Sequence, residues 1–384
     1  MNRIYLDHTA TTPLDPEVFE AMKPFFFEKY GNASSIHSFG REAKATLDES
    51  RDVIAKAIGA SAGEVFFVSS GTEADNFALK GIASKMREQG KNHIITSKIE
   101  HHAILETCEF LSKQGFNITY LNVDPFGKVR YDDLRDAIND TTGLISIMHV
   151  NNEIGTINPI KELASLANER GIVFHTDAVQ SLGKIPFNVR ELGIDLASFS
   201  AHKIYGPKGI GAIYIKKGTK IENLLHGGGQ ERGRRAGTEN VPLAVGFAKA
   251  VELITRKMES ENIRLLLLKQ NFISLLKERF PFVIFNGHAT DSLPHIVNIS
   301  FDSKQIEIDG EALLFNLDLA GIAVTSGSAC TSGSMEPSHV LLALGRDPQT
   351  AKATIRFSMG EGTTSEQIER VVEVLEGVFQ KMKN

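Results

Sequence analysis

The chain has 384 residues, 42% of them hydrophobic and 23% charged, with a formal net charge of −5. That balance belongs to a globular protein of two or three domains, and it offers no basic footprint for nucleic acid, since the one dense basic cluster, Arg232-Gly-Arg-Arg235, is too short. No apolar run approaches a membrane span, the start Met1-Asn-Arg-Ile-Tyr-Leu-Asp7 has no signal-peptide core, and Cys108 and Cys330 are too few for a disulfide framework, so a reducing cytoplasm is the expected compartment.

Along the chain, Asp15-Pro16-Glu17 is a helix start, with a capping carboxylate and proline at the first helical position. From about residue 64 to 215, short apolar runs alternate with amphipathic stretches. The runs are Glu64–Val68, His93–Thr96, Ile118–Val123, Leu144–Val150, Ile172–Thr176, Leu196–Ser200 and Gly211–Ile215. Several are continuously apolar, as strands buried on both faces of a mostly parallel sheet are. Helical stretches such as Glu73–Gln89, Ala103–Gln114 and Ile160–Arg170 lie between them, and the alternation predicts an α/β layered domain.

Val241–Phe280 reads as one long helix, of a length that often bridges two domains. Beyond it come a strand (His295–Phe301), a helix (Glu311–Leu319), a Gly/Ser-rich stretch over 326–334, a strand (Thr354–Ser358) and a last helix (Ser365–Lys381). This order predicts a smaller α+β domain. The expected division is a large domain over 15–255 and a small one built from 1–14 and 256–384, the latter carrying Cys330.

In open α/β sheets ligands sit beyond the carboxyl ends of the strands. Five strand ends here carry concentrated polar chemistry: Ser69-Ser-Gly-Thr-Glu73, Glu100-His101-His102, Asn151-Asn152-Glu153, Asp177-Ala-Val-Gln180 and Ser200-Ala-His202-Lys203. A single buried ligand explains all five. The turn through Gly71 and Thr72 opens a helix and offers backbone N–H groups and hydroxyls to an anion, though any capped helix shows similar residues. It lacks the lysine and spacing of a P-loop, and Gly206-Pro-Lys-Gly-Ile-Gly211 is not in dinucleotide-binding order, so nucleotide is disfavoured.

Asp177 ends a buried strand, where a carboxylate needs a cation, and an aspartate facing a pyridinium is the expected partner in a pyridoxal-phosphate (PLP) site. Lys203 is the matching amine, able to form a Schiff base once desolvation keeps it neutral. The bland readings are a structural salt bridge for Asp177 and a solvated Lys203. His175 and Asp177 share one side of a strand and His101-His102 could add ligands, but no metal-binding spacing is present. No metal is expected, and His101 is better used stacked on a flat cofactor.

Cys330 stands among small residues in Ser326-Gly-Ser-Ala-Cys-Thr-Ser-Gly-Ser334, a setting that suits a reactive thiol as well as an incidental surface cysteine. Cys108, on a helix, reads as a core residue. Arg356 could hold a substrate carboxylate with its planar fork, or form an ordinary ion pair.

Taken together, Tyr5-Leu-Asp-His-Thr-Ala-Thr-Thr-Pro13, His149-Val-Asn-Asn-Glu-Ile-Gly155, His175-Thr-Asp-Ala-Val-Gln180, Ser200-Ala-His-Lys203, His226-Gly-Gly-Gly-Gln-Glu-Arg232 and Ser326-Gly-Ser-Ala-Cys-Thr-Ser332 resemble the cysteine desulfurases of the NifS/IscS-like group. The match spans nearly the whole chain, with the motifs in family order; His8-Thr9 departs from the usual residues before Ala-Thr-Thr-Pro. The resemblance implies an aminotransferase-type PLP fold, in which the large domain binds the cofactor, and a homodimer with sites at the subunit interface. It implies that Lys203 holds PLP, Asp177 pairs with its ring nitrogen, Gln180 bonds the ring hydroxyl and His101 stacks on the ring. Gly71, Thr72, Ser200 and His202 would hold the phosphate, with Thr238 reaching in from the partner subunit. Asn152 and Arg356 would bind the carboxylate of L-cysteine, and Cys330 would be the nucleophile that carries the persulfide. Cys330, Lys203 and His101 are thus the expected catalytic residues.

The sulfur would pass on to an iron–sulfur scaffold or another acceptor protein. The chain stops at Asn384, soon after its last helix, without the C-terminal extension by which many housekeeping members dock a scaffold, so delivery is not expected by that route. The rival readings are an aminotransferase, which would not need Cys330, a selenocysteine lyase, which would fail with ordinary cysteine, and a non-catalytic assembly partner, which would not need Lys203.

Overall fold

The computed structural model describes residues 3–327 and 336–382. Its centre is a seven-stranded sheet of β1 (Val65–Val68), β2 (His93–Ser97), β3 (Asn117–Leu121), β4 (Thr142–Ser146), β5 (Val173–Asp177), β6 (Leu196–Ser200) and β7 (Gly211–Ile215). The spatial order is β1-β7-β6-β5-β4-β2-β3. Strands β6, β5, β4, β2 and β3 run parallel, and β7 is antiparallel to both of its neighbours. The mostly parallel sheet expected from the apolar runs is therefore present. Regular pairing ends earlier than the sequence pattern does at β4. There the apolar run goes on to Val150, still buried, and delivers Asn151 and Asn152.

Helices cover both faces, as parallel strands require. Helix α1 (Pro16–Met22) starts as expected, with the Asp15 carboxylate accepting from Glu17 N at 2.7 Å. Helix α2 (Ser38–Ala57) has no counterpart in the sequence reading. It buries Ala43, Leu47 and Ile54 but also Ser50 and Arg51, and the Arg51 guanidinium is paired with Glu231 at 2.6 and 3.0 Å. Helices α3 (Gly71–Glu88), α4 (His102–Ser112) and α5 (Ile160–Glu169) follow β1, β2 and β4. Cys108 on α4 is buried, as its place on the helix predicts.

The long helix α6 (Val241–Arg279) belongs to two hydrophobic cores. Its first half packs Phe247 and Val251 against the large sheet. Its second half packs Leu268, Phe272 and Leu276 against a three-stranded antiparallel sheet of β8 (Val283–Asn286), β9 (Ile296–Phe301) and β10 (Thr354–Ser358). Helices α7 (Gly310–Leu319) and α8 (Ser365–Met382) complete this second core.

The N-terminal segment joins the second core to the sheet ends. Ile4–Tyr5 pairs with Ile322–Ala323, and Asp7 bridges Ser358 at the end of β10. Asp7 is thereby set beside Arg356, and Thr9–Thr12 runs over the turn after β6. Among the described residues, no helix is long and apolar enough to cross a membrane.

Candidate active site

One pocket lies where the carboxyl ends of β4, β5 and β6 meet the start of α3. It is lined by Gly71, Thr72, His101, Asn152, Asp177, Gln180, Ser200, His202, Lys203 and Arg356. Ten residues from six separate stretches of sequence converge here, and the five polar strand ends share one cavity. Thr238 is not among them. It is exposed and lines a separate concavity with Ser69 and Arg235, so it does not reach the pocket of its own chain. Cys330 lies outside the described residues; the chain leading toward it leaves from Thr325, which bridges Arg356 on β10.

Asp177 is the last residue of β5 and is 7% exposed. Its Oδ1 accepts from Val179 N at 2.9 Å, and among the described residues it forms no ion pair, so the salt-bridge reading of this carboxylate does not hold. Burial pushes its carboxyl up, with His101 and Lys203 opposing. A buried acid without a counter-cation suits a protonated ring nitrogen.

Lys203 follows β6 on a short 3₁₀ turn (Ala201–Lys203). Its Nζ donates to the carbonyls of Thr9 and Ala10, each at 2.7 Å, so it is not a solvated surface lysine. Burial, helped by the Arg356 cation, lowers its amine to about 8. A meaningful fraction is then neutral near pH 7, as Schiff-base chemistry requires. The turn is clamped from the N-terminal segment. Thr12 Oγ1 donates to His202 O at 3.0 Å and accepts from Tyr205 N at 2.7 Å, and Tyr205 is held at φ 63°, in the left-handed region. Such a backbone persists only where its surroundings over-determine it.

The α3 end of the pocket fits a phosphate. Ser70 caps the helix, its Oγ accepting from Glu73 N at 3.1 Å, while Thr72 stays exposed to the cavity. A side chain at Gly71 would place its Cβ 2.7 Å from Val179 Cγ2, so only glycine lets the turn lie this close to the β5 end. Ser200 and His202 approach from β6, with His202 Nδ1 3.1 Å from Thr11 Oγ1. Glu73 is engaged by Arg235 at 2.8 and 3.1 Å, which ties the segment bearing Thr238 to the outer side of the same helix start.

His101 caps α4 through Nδ1, which accepts from Ala103 N at 3.1 Å, and its ring stays exposed to the pocket. Asn151 is spent on structure, its amide bonding Ile99 O and the N–H groups of Glu153 and Ile154, which leaves Asn152 to the cavity. Arg356, 5% exposed, donates from Nη2 to Asp7 Oδ1 at 2.9 Å and from Nη1 to Asn152 O at 3.0 Å. Its Nε has no partner among the described residues. The ion pair is therefore real, and a donor remains for a ligand.

Three pocket residues escaped the sequence reading. Asp75 stands three residues after Thr72 on α3, a helical spacing that could have found it. It is 1% exposed, its Oδ1 lacks a hydrogen bond among the described residues, and burial together with the Asp177 charge raises its carboxyl well above the ordinary range. Thr9 and Ala10 act through backbone carbonyls, which leave no mark in a sequence. His175, two residues before Asp177 on β5, is engaged on both ring nitrogens. His175 is fully buried with Nδ1 2.9 Å from Ser146 Oγ and Nε2 3.0 Å from Ser198 Oγ, and burial lowers it to about 3. No group of three His, Cys, Asp or Glu among the described residues is placed to hold a metal.

The cavity thus has the donor set of a flat, anionic, phosphorylated ring: a hydroxyl-lined helix start, an unpaired carboxylate, an exposed imidazole face and a desolvated lysine. Comparison with known proteins agrees. The sequence profile of the aminotransferase class-V family matches residues 4–371. A protein of Dictyoglomus turgidum described as cysteine desulfurase IscS is 54% identical over 99% of this chain and 95% of its own. A solved structure titled NifS-like protein superposes with a TM-score of 0.92 at 38% identity, covering 99% of this chain and all of that one. Another, titled SspA in complex with cysteine, gives 0.82 at 36% identity over 93% of this chain and 99% of that one.

Proposed function

The chain belongs to the aminotransferase class-V family and is a PLP-dependent cysteine desulfurase, and from that premise we propose how its residues divide the work. When bound, PLP supplies an electron-poor ring that stabilises negative charge on the amino-bearing carbon of the substrate and so loosens its C–S bond. Lys203 Nζ would hold the cofactor and, when free, would move protons at the substrate carbon. Asp177 keeps the ring nitrogen protonated. Thr72, Ser200 and His202, with the N–H groups opened by Gly71, hold the phosphate at the positive end of α3. His101 covers the ring face.

Arg356 and Asn152 orient the substrate carboxylate, and Gln180 meets the ring hydroxyl. The Cys330 thiolate then attacks the substrate sulfur. An S–S bond forms as the C–S bond breaks, the electron pair stays with carbon, and protonation there gives alanine. Cys330 is left as a persulfide, and the net change is cysteine plus enzyme thiol giving alanine plus enzyme persulfide. A sulfur-acceptor protein, an iron–sulfur scaffold among the candidates, takes the terminal sulfur. Thr238, exposed and tied by Arg235 to the phosphate end, supports a homodimer in which it completes the neighbouring pocket.

The observation that carries the residue roles is the convergence of ten of them on one pocket. The test compares wild type with Cys330→Ala for sulfide and alanine release from L-cysteine under a thiol reductant. Equal amounts of both products, lost in the variant while its bound cofactor keeps its absorbance, are expected. Undiminished turnover in the variant would sink the persulfide route.

A further inference from the structure

Behind the pocket lies a second, smaller cavity, separated from it by Lys203 and lined by His8, Lys184, Tyr205 and His295. The reaction described above uses none of these four. Lys184 is half-buried on a tight turn. Gly183 before it has φ 69°, and a Cβ there would fall 2.3 Å from Ile254 Cγ2. Asn262 Nδ2 holds the Lys184 carbonyl at 2.7 Å. The Lys184 Nζ donates to Gln180 Oε1 at 2.9 Å and stands 3.4 Å from His295 Nε2. Among the described residues no carboxylate pairs with it.

The groups that face it are cationic or neutral. They are Lys203 and Arg356, whose charges add to burial in bringing Lys184 down to about 7, His295 and His8, lowered by burial and then by Lys184, and His202, lowered by burial and then chiefly by Lys203. Glu261, the one acid lining the cavity among the described residues, is engaged by Arg264 at 2.8 and 2.6 Å. A partly buried ammonium with no counter-ion among the described residues costs stability. An anion arriving with the cofactor would offset that cost.

The same contacts settle which way the Gln180 amide points. As an ammonium Lys184 can only donate, and in that form it selects the oxygen end. The carbonyl of Thr9 can only accept, and it takes Gln180 Nε2 at 3.1 Å. Both partners choose the same orientation, and the second N–H of Nε2 has no protein partner among the described residues. We propose that Lys184 is a positioning residue for the cofactor, fixing the Gln180 amide so that its nitrogen donates to the anionic ring oxygen and adding positive charge behind it. This rests on the reading that Gln180 meets the ring hydroxyl.

The ring oxygen bears its full negative charge only after the proton it shares with the Lys203 linkage has left. A donor on that oxygen therefore favours the deprotonated linkage and lowers its pKa. The experiment is a pH titration of the absorbance of bound PLP in the holoenzyme, for wild type, Lys184→Met, Lys184→Gln, Gln180→Ala and Gln180→Ala/Lys184→Met, each checked for folding by circular dichroism. Lys184→Met is expected to raise the midpoint by roughly half a unit or more, as weakening a donor to an anion does. Lys184→Gln, which keeps a donor without the charge, should shift it less, and the double variant no further than Gln180→Ala alone. A midpoint unmoved by both Lys184 variants but raised by Gln180→Ala would overturn the role of Lys184. A midpoint unmoved by Gln180→Ala would overturn the underlying reading of Gln180 instead.

Discussion

Arg356 and Asp7 form an ion pair at 2.9 Å between the middle strand position of β10 and the N-terminal segment, 349 residues apart in sequence. The pair holds one edge of the guanidinium while its buried Nε has no partner among the described residues. Desolvated donors of this kind gain most when an anion arrives, and a bidentate hold on a carboxylate needs the planar fork that lysine lacks. Arg356→Lys is therefore expected to lower kcat/KM for L-cysteine by roughly 10- to 100-fold, the range of one to two charge-assisted hydrogen bonds. The cofactor absorbance should be unchanged. Steady-state kinetics beside an absorbance spectrum check this; an unaltered kcat/KM would remove Arg356 from substrate binding.

Lys203 gives a pH prediction with a definite sign. Its amine is lowered to about 8 by burial first and the Arg356 cation second. Only the neutral amine captures the PLP aldehyde, so the rate at which apoprotein gains the bound-cofactor absorbance should climb with pH up to about 8 and level off above it. Arg356→Gln removes a neighbouring positive charge, makes the lysine a weaker acid and moves the midpoint upward. Stopped-flow reconstitution at several pH values measures both midpoints. A midpoint near the ordinary lysine range in the wild type would show that Lys203 is not desolvated as described.

The parts of this site that were readable in the sequence, and the parts that were not, differ in physical kind. The ends of β5 and β6 were legible because strands buried on both faces read as unbroken apolar runs, and the polar residues that follow them stand out. Asp177, Gln180, Ser200, His202 and Lys203 were found that way. The helix Ser38–Ala57 was not, because its apolar stripe is thin and a buried arginine interrupts it. Arg51 is tolerable there only through Glu231, 180 residues away, with Phe67 N bonding the same carboxylate. The clamp on Lys203 by the carbonyls of Thr9 and Ala10 was equally invisible, since any residue supplies a carbonyl. Lys184 and Gln180 are four apart in sequence, yet only the fold shows that no acid competes for that ammonium.

Glu100 is a buried acid that pairs with no cation among the described residues. It accepts from Ser97 Oγ at 2.5 Å and from Met148 N at 3.0 Å, and burial raises its carboxyl to about 8. Because the folded state binds this proton more tightly than the unfolded chain does, its contribution is fully present below the ordinary value of 4.5 and is lost as pH rises through about 8. Glu100→Gln cannot ionise. Relative to wild type, the variant should gain stability as pH climbs across that window, by on the order of a few kcal/mol in total. Thermal midpoints of both proteins across the window measure the difference, and parallel curves would mean that Glu100 is ionised throughout.

Cys108 provides the control for Cys330. It sits on α4 with no exposed surface, and burial pushes its thiol up to about 12, so it holds no useful thiolate at neutral pH. Alkylation of the native protein with iodoacetamide should therefore place one label per chain, on the peptide bearing Cys330, and abolish sulfide release. Cys108→Ala should leave the rate of sulfide release within about twofold and cost roughly 1 kcal/mol of stability, the scale of deleting one small buried group. Peptide mass mapping and the sulfide assay read the two effects separately. Labelling of Cys108 in the folded protein, or loss of sulfide release in Cys108→Ala without loss of fold, would mean that the helix opens or that the second thiol shares the chemistry, and the assignment of persulfide formation to Cys330 alone would fail.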